Sequence, residues 1–156
     1  MPQARFNHIA LSMPPGSLAE HRADIEKFYG GILGANVFDY GGVGGFLIIS
    51  FDEGFPSQSF VLNEAEDYMQ APGFDHIGLE YETYEEVDGI IAACKEFKKG
   101  DDRVEVDAFS DAKDDGYEYR ACYVKYLLPM RLDIQALKWE PGREPRQWRY
   151  DPKTAP

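Results

Sequence analysis

The stretch Phe6–Leu11, with the sequence Phe-Asn-His-Ile-Ala-Leu, returns 68 residues later as Phe74–Leu79, with the sequence Phe-Asp-His-Ile-Gly-Leu. Both copies alternate aliphatic side chains with small or polar ones, which is typical of a half-buried strand. Self-similarity at a little under half the chain length indicates two equivalent units. The sequence therefore predicts a duplicated architecture in which His8 and His76 occupy equivalent positions.

The same order of elements follows each copy. Apolar residues at helical spacing predict helices over Leu18–Leu33 and Tyr84–Phe97, and glycines end both. Alternating apolar residues and turn residues then predict three strands in each half: Ala35–Tyr40, Gly45–Phe51 and Ser57–Asn63 in the first, and Arg103–Phe109, Tyr117–Leu127 and Arg131–Lys138 in the second. The predicted fold class is α+β, with two tandem βαβββ modules (residues 1–70 and 71–138) curled around a shared cavity. A tail of residues 139–156 completes one structural domain.

Strand alternation predicts which side chains face that cavity. Ile9 and Ile77 should pack against the helices, which leaves His8 and His76 on the opposite faces. The final strand has an aliphatic set, Leu132, Ile134 and Ala136, and an opposite set, Asp133, Gln135 and Leu137. Two imidazoles with one or two oxygen ligands make a site for a divalent metal such as Fe, Mn, Ni or Zn.

Composition limits the partners that we expect. The 156 residues carry 16 basic and 28 acidic side chains, a formal net charge of −12. Nucleic-acid phosphates and anionic membranes would repel such a chain, so neither is expected as a partner. With 44% hydrophobic residues, the chain has enough apolar surface for a core. The expected partner is a small molecule.

Two isolated cysteines and the N-terminal residues indicate a compartment. Cys94 and Cys122 show no metal-binding spacing, and we expect both to be buried and reduced. The first residues contain no apolar segment of the kind that directs secretion. Cytoplasmic localisation is the resulting expectation.

The sequence resembles the vicinal oxygen chelate superfamily, which includes glyoxalase I, type I extradiol dioxygenases and bleomycin-resistance proteins. The resemblance rests on Phe6–Leu11, Phe28–Ala35 and Phe74–Leu79, and with the final strand it covers most of residues 5–138. It implies paired βαβββ modules with metal ligands on the first and last strands of each module. It also implies a homodimer, and Trp148 and Tyr150 in the tail are candidates for its interface.

Carried over by position, His8, His76 and Gln135 are the implied metal ligands. The family usually has a glutamate at the place of Gln135, and Asp133 on the same face is the alternative ligand. Such a site implies a metalloenzyme, either a lyase or isomerase or an extradiol-type dioxygenase. Glu80, which should face the cavity, is the candidate base, whereas His21 is expected to be a solvated helix residue.

A metal-free binding protein is the alternative function. In that case the cavity holds an apolar or aromatic compound, as bleomycin-resistance proteins do by sequestration. The side chains predicted to line it are apolar or aromatic and come from both modules: Phe46, Phe60, Tyr126, Met130 and Leu137.

Overall fold

The computed structural model describes residues 6–42, 45–52, 57–109 and 111–145. The first module consists of β1 (His8–Met13), α1 (Ser17–Ile25), β2 (Asn36–Tyr40), β3 (Phe46–Ser50) and β4 (Ser59–Glu64). The second consists of β5 (His76–Tyr81), α2 (Tyr84–Lys98), β6 (Glu105–Ala108), β7 (Ala112–Asp114), β8 (Tyr117–Lys125) and β9 (Arg131–Trp139). The predicted α+β fold of two βαβββ modules is confirmed.

Each module has one mixed sheet with the same strand order. The first sheet runs β1-β4-β3-β2, and the second runs β5-β9-β8-β6. In both, the opening strand pairs in parallel with the last strand, and the other pairs are antiparallel. The equivalent topology explains why the repeated His-containing segment lies beside the final strand of its module in both cases.

Two elements differ from the sequence prediction. Strand β7 was not predicted; it forms a short hairpin with β8, in which Gly116 adopts a positive φ of 89° in the turn. The first helix is shorter than predicted, because α1 continues only through a π-helical turn, Glu26–Gly30. Gly34 then adopts a φ of 73°, which redirects the chain into β2.

Side-chain alternation follows the prediction in both opening strands. In β1, Leu11 and Met13 are buried while His8 is exposed; in β5, Leu79 is more buried than its neighbour Glu80. Helix α2 begins at a capping box in which the hydroxyl of Thr83 accepts from the backbone N–H of Glu86. Each sheet therefore has one face under its helix and one face turned away from it.

The helix-facing sides of both sheets form a single hydrophobic core. At its centre the ring of Phe28 lies 4.5 Å from that of Tyr126 and 5.3 Å from that of Phe97, measured between ring centroids. Offset and edge-on ring contacts of this kind add about 0.5–1.5 kcal/mol per pair to the burial of apolar area. The two modules are thus packed against each other through aromatic side chains.

Both cysteines are free and buried. Burial raises the pKa of the Cys94 thiol to about 11 and that of Cys122 to about 12, so neither forms a thiolate near neutral pH. Among the described helices, none is long and apolar enough to cross a lipid bilayer. The tail residues Trp148 and Tyr150 lie outside the described residues.

Candidate functional site

The face of the second sheet that is turned away from α2 carries the candidate site. Along β9, Leu132, Ile134 and Ala136 are buried in the core, whereas Asp133 and Gln135 point to the opposite face. Directly opposite residues of antiparallel strands share a face. The pairs between β8 and β9 on this open face are Tyr117 with Trp139, Tyr119 with Leu137, Ala121 with Gln135, and Tyr123 with Asp133.

A cavity of about 450 Å³ lies in this open face. Its walls are Phe74, Phe109, Tyr117, Tyr119, Tyr123, Asp133 and Gln135. Tyr123 is central, because its ring centroid lies 5.3 Å from those of Phe74 and His76 and 5.5 Å from that of Phe109. The volume falls in the usual range for small-molecule sites, about 300–1,000 Å³. We call this site the aromatic cavity.

Hydrogen bonding determines which nitrogen of His76 carries the proton. Its Nδ1 lies 2.7 Å from the backbone carbonyl oxygen of Phe74. A carbonyl oxygen can only accept, so Nδ1 donates and the neutral ring keeps its lone pair on Nε2. The Nε2 atom faces Asp133, whose Oδ2 lies 3.9 Å away. Two acceptors do not hydrogen-bond each other, but a shared donor or a cation can bridge them.

The carboxyl group of Asp133 lacks a hydrogen-bond partner for one of its oxygens among the described residues. Its side chain is 14% exposed, and its Oδ1 is buried without a hydrogen-bond partner among the described residues. Burial raises the pKa of the Asp133 carboxyl above its usual value, and the charge of a protonated His76 would oppose that rise. Burying a carboxylate without hydrogen-bond or ion-pair partners costs folding free energy, and such groups are often found where a ligand binds.

Gln135 lies beside Asp133 and packs over Gly78 of β5. A Cβ atom placed on Gly78 would lie 3.3 Å from Nε2 of Gln135, so the glycine makes room for the amide. Glu80 stands opposite Gln135 in the β5–β9 pairing and is exposed. It follows His76 by four residues, which is roughly 13 Å along an extended strand. Glu80 therefore shares the open face with His76 but not its immediate surroundings.

His8 lies on the other sheet. Its Nδ1 is 2.6 Å from Oδ1 of Asn7, the residue is exposed, and its Nε2 has no hydrogen-bond partner among the described residues. No contact joins His8 to His76 within the described part of the chain. The structure thus brings together His76, Asp133 and Gln135 and leaves His8 apart from them.

His76 and Asp133 fit a divalent metal ion in part. A hydrogen bond from the distal ring nitrogen to a backbone carbonyl is the usual way in which a metal-binding histidine is oriented, and His76 has one. The orphaned Oδ1 of Asp133 also lacks the partner that an ion would provide. However, residues 6–42, 45–52, 57–109 and 111–145 contain no group of three His, Cys, Asp or Glu side chains that could hold a metal. One copy of the described chain therefore offers two strong ligands and an amide.

Most of the side chains predicted to line the cavity lie elsewhere. Phe60, Tyr126 and Met130 are buried in the core, and only Leu137 lies on the open face of the second sheet. The reason is strand parity: Phe60 pairs with Ile9 and so faces the core, and Met130 has the same parity as Leu132. Phe60, Tyr126 and Met130 thus belong to the core and not to the lining of the aromatic cavity.

Phe46 lines a different cavity, of about 530 Å³, at the edge of the first module. That cavity also contains Arg22, Asp39 and Glu64. The carboxylate of Glu64 accepts from the backbone N–H of Leu18 at 2.8 Å, and backbone N–H groups at this helix start lower its pKa. The polar lining of this cavity thus contributes to the start of α1.

The sequence interpretation missed Tyr119 and Tyr123. The sequence does contain a pattern that indicates them: tyrosines at alternate positions of β8, starting with Tyr117, share one face of the strand. Placing them beside Asp133 and Leu137 required the register of β8 on β9, which residue types alone did not provide.

Comparison with known proteins gives matches among solved structures only. No protein-family model matches the chain, and no curated protein matches it. A glyoxalase family protein from Bacillus anthracis superposes with a TM-score of 0.59 at 15% identity, covering 88% of this chain and 98% of that one. TnmS3, an antibiotic binding protein from Streptomyces sp. CB03234, gives a TM-score of 0.54 at 15% identity, covering 88% and 99%.

A third similar structure is the fosfomycin resistance protein FosX from Listeria monocytogenes, as a variant complexed with Mn(II) and 1S,2S-dihydroxypropylphosphonic acid. It gives a TM-score of 0.57 at 16% identity, covering 86% of this chain and 93% of that one. At these identities the likeness concerns the fold. Together with the paired βαβββ modules, it shows that this chain has the fold of the vicinal oxygen chelate superfamily, to which the glyoxalase-family and FosX proteins belong.

Proposed function

We propose that the chain binds a small organic molecule with a flat ring in the aromatic cavity. The observation that carries this proposal is a cavity of about 450 Å³ with five aromatic side chains in its walls, three tyrosines on β8 and two phenylalanines next to β5 and β6. Aromatic walls bury a flat ligand by stacking, with little loss of side-chain freedom because the rings already contact each other. TnmS3, which shares the fold, is an antibiotic binding protein, and this supports a binding role.

The direct test is a ligand-observed NMR titration with naphthylmethanol, a neutral bicyclic probe. About 12 non-hydrogen atoms at about 0.3–0.5 kcal/mol each correspond to a Kd between about 0.05 and 2 mM. Tyr123→Ala should weaken binding at least about fivefold, because it removes the central wall of the cavity. Tyr40→Ala, on the first sheet, is the matched control and should bind like the wild type. Equal binding by the Tyr123 and Tyr40 variants would refute the proposal.

A metal-dependent enzyme is the second candidate. The orientation of His76 by the Phe74 carbonyl and the orphaned Oδ1 of Asp133 favour it. A bound divalent ion would supply Lewis-acid chemistry, which polarises an oxygen of the substrate. In this chain His76 and Asp133 would hold the ion, the Gln135 amide would be a third ligand, and the aromatic walls would orient the substrate. FosX, which shares the fold, was crystallised with Mn(II).

A homodimer would complete that site. His8 exposes its free Nε2 on the open face of the first sheet, and His76 does the same on the open face of the second. A second copy that set its first sheet against the second sheet of this one would bring His8 to the ion as another strong ligand. The lyase, isomerase or dioxygenase chemistry expected from the sequence depends on this assembly, with Glu80 as the candidate base.

Mn(II) titration followed by EPR, together with sedimentation analysis, tests the second candidate. We expect about one ion per chain in a dimer, with binding lost in His76→Ala and weakened in both Asp133→Asn and His8→Ala. His21→Ala, on α1, is the control and should leave binding unchanged. If His76→Ala bound Mn(II) as the wild type does, the metal site would lie elsewhere; a monomer that bound it normally would exclude the role of His8.

A further inference from the structure

The described residues that line the aromatic cavity include acceptors but no lysine or arginine. Asp133 and the Nε2 lone pair of His76 face each other across 3.9 Å, and Oδ1 of Asp133 has no partner among the described residues. Arg131 is the nearest guanidinium on this face of β9, but it is held by Glu105 at 3.1 Å and Asp107 at 2.9 Å. Oδ1 of Asp133 is thus left without a donor by the described residues.

The charge on this face is also predominantly negative. The register of β5, β6, β8 and β9 places four carboxylates on it and two cationic side chains: Glu80, Glu105, Asp107 and Asp133, against Lys125 and Arg131. The net charge of the whole chain, −12, adds to the attraction of a cation from solution.

The ring faces around Asp133 suit an organic cation. Phe74 is 70% exposed and Phe109 is 40% exposed, and both contact Tyr123, the cross-strand partner of Asp133. Aromatic faces attract ammonium and guanidinium groups through the ring quadrupole, most strongly where water is partly excluded. A carboxylate bordered by aromatic rings is thus a combined site for charge and for a flat apolar group.

We propose that the ligand of the aromatic cavity is an organic cation, a flat ring system bearing a protonated amine that donates to Asp133 and lies against Phe74 and Tyr123. This inference rests on the proposed binding function and names its ligand class. The volume of about 450 Å³ accommodates an organic molecule many times larger than a bare ion. The amine supplies the donor that Asp133 and His76 both lack.

The test compares three probes with the same ring and different charge: naphthylmethylammonium, naphthylmethanol and naphthoate. Titrations contain a chelator and about 0.15 M salt, which screens charges farther than about 8 Å apart. We expect the cation to bind at least tenfold more tightly than the alcohol, and naphthoate to bind more weakly than either. In Asp133→Asn the advantage of the cation over the alcohol should disappear.

Two further variants keep the test decisive. Phe74→Ala removes an exposed ring without disturbing the core and should reduce the preference for the cation by at least threefold. Glu20→Gln, on α1 of the other module, removes the same charge as Asp133→Asn and should preserve the preference. Equal loss in Glu20→Gln, or a preference that survives in Asp133→Asn, would overturn the inference.

The probe series also separates this inference from the function on which it rests. If all three probes bind equally, or if naphthoate binds most tightly, the cavity binds aromatic compounds but the assignment to cations is wrong. If none of them binds, the proposed binding function fails, and the ligand class fails with it.

Discussion

The hydroxyl of Tyr29 donates a 2.6 Å hydrogen bond to the backbone carbonyl oxygen of Tyr126, and both groups are buried. The two residues belong to different modules and are 97 positions apart in sequence. Burial raises the pKa of the Tyr29 hydroxyl well above its usual value, so the group remains a donor. This bond lies beside the Phe28–Tyr126 ring contact and fixes how the modules dock.

Tyr29→Phe should lower the free energy of unfolding by about 0.5–1.5 kcal/mol, because the buried carbonyl of Tyr126 then keeps only the backbone N–H of Leu128 as a donor. Urea unfolding at neutral pH measures this change. Tyr68→Phe, at a residue that is 37% exposed, is the control and should change stability by less than about 0.5 kcal/mol. Equal stability of the Tyr29 and Tyr68 variants would show that the inter-module bond does not contribute.

Stability should also depend on pH through Asp101. The guanidinium of Arg103, 2.8 Å away at Nε, holds the pKa of the Asp101 carboxyl well below its usual value, and the hydroxyl of Tyr126 adds a bond of 2.6 Å. The unfolded chain has the ordinary pKa, so this contribution is present above about pH 4 and is lost as the pH falls toward the lowered value.

The variant Asp101→Asn isolates that contribution. It should be less stable than the wild type at neutral pH by about 1–2 kcal/mol, and the difference should shrink as the pH falls below about 4. Urea unfolding across pH 3–7 measures both. Asp102→Asn, at the exposed neighbouring residue, should follow the wild-type profile. A difference between wild type and Asp101→Asn that does not vary with pH would contradict the assignment.

Replacing glycine by alanine should have opposite effects on stability at Gly31, which follows the π-helical turn, and at Gly89 in α2. At Gly31 a Cβ atom would lie 2.5 Å from the backbone oxygen of Lys27, whereas at Gly89 in α2 it would meet nothing within 4 Å. Gly31→Ala should therefore destabilise the fold by about 1–3 kcal/mol. Gly89→Ala should stabilise it by about 0.5–1 kcal/mol, because alanine favours the helix. Thermal unfolding of both variants distinguishes these effects, and a stabilised Gly31→Ala would argue against the π-helical turn.

Gly78→Ala should separate stability from ligand binding. The added methyl group would lie 3.3 Å from the Gln135 amide, the flexible end of a side chain, which must then move by a few tenths of an ångström. We expect stability to be unchanged or to rise by about 0.5 kcal/mol, because alanine replaces glycine within a strand. Naphthylmethanol should bind more weakly, because Gln135 lines the cavity and its amide is moved from its present position. Unchanged binding would show that Gln135 does not border the bound ligand.

Much of the fold could be predicted because its signals are local. The repeat of Phe6–Leu11 as Phe74–Leu79 indicated two equivalent modules, and alternation placed His76, Asp133 and Gln135 on the same side of their strands. Helix α2 was predicted within one residue of its observed bounds, because it has a consistent apolar face and a clear start.

The cavity lining could be predicted only in part. Tyr126 and Met130 lie between β8 and β9, where residue type alone does not show which side chains face the core, since one step along the chain reverses the face. Strand β7 and the π-helical turn left no periodic signal strong enough to predict, since each involves only three to five residues.

The sequence alone determined the number of modules, the order of most of their elements and the faces of the residues in the opening and final strands, because these depend on spacings within a few residues. The tertiary structure alone decided that Tyr123 stands beside Asp133, that His8 lies on a separate sheet from His76, and that Tyr29 bonds to Tyr126. These relationships depend on how segments that are distant in sequence pair and pack. The free energy of the whole folded chain decides that packing, so it cannot be deduced from any single stretch of sequence.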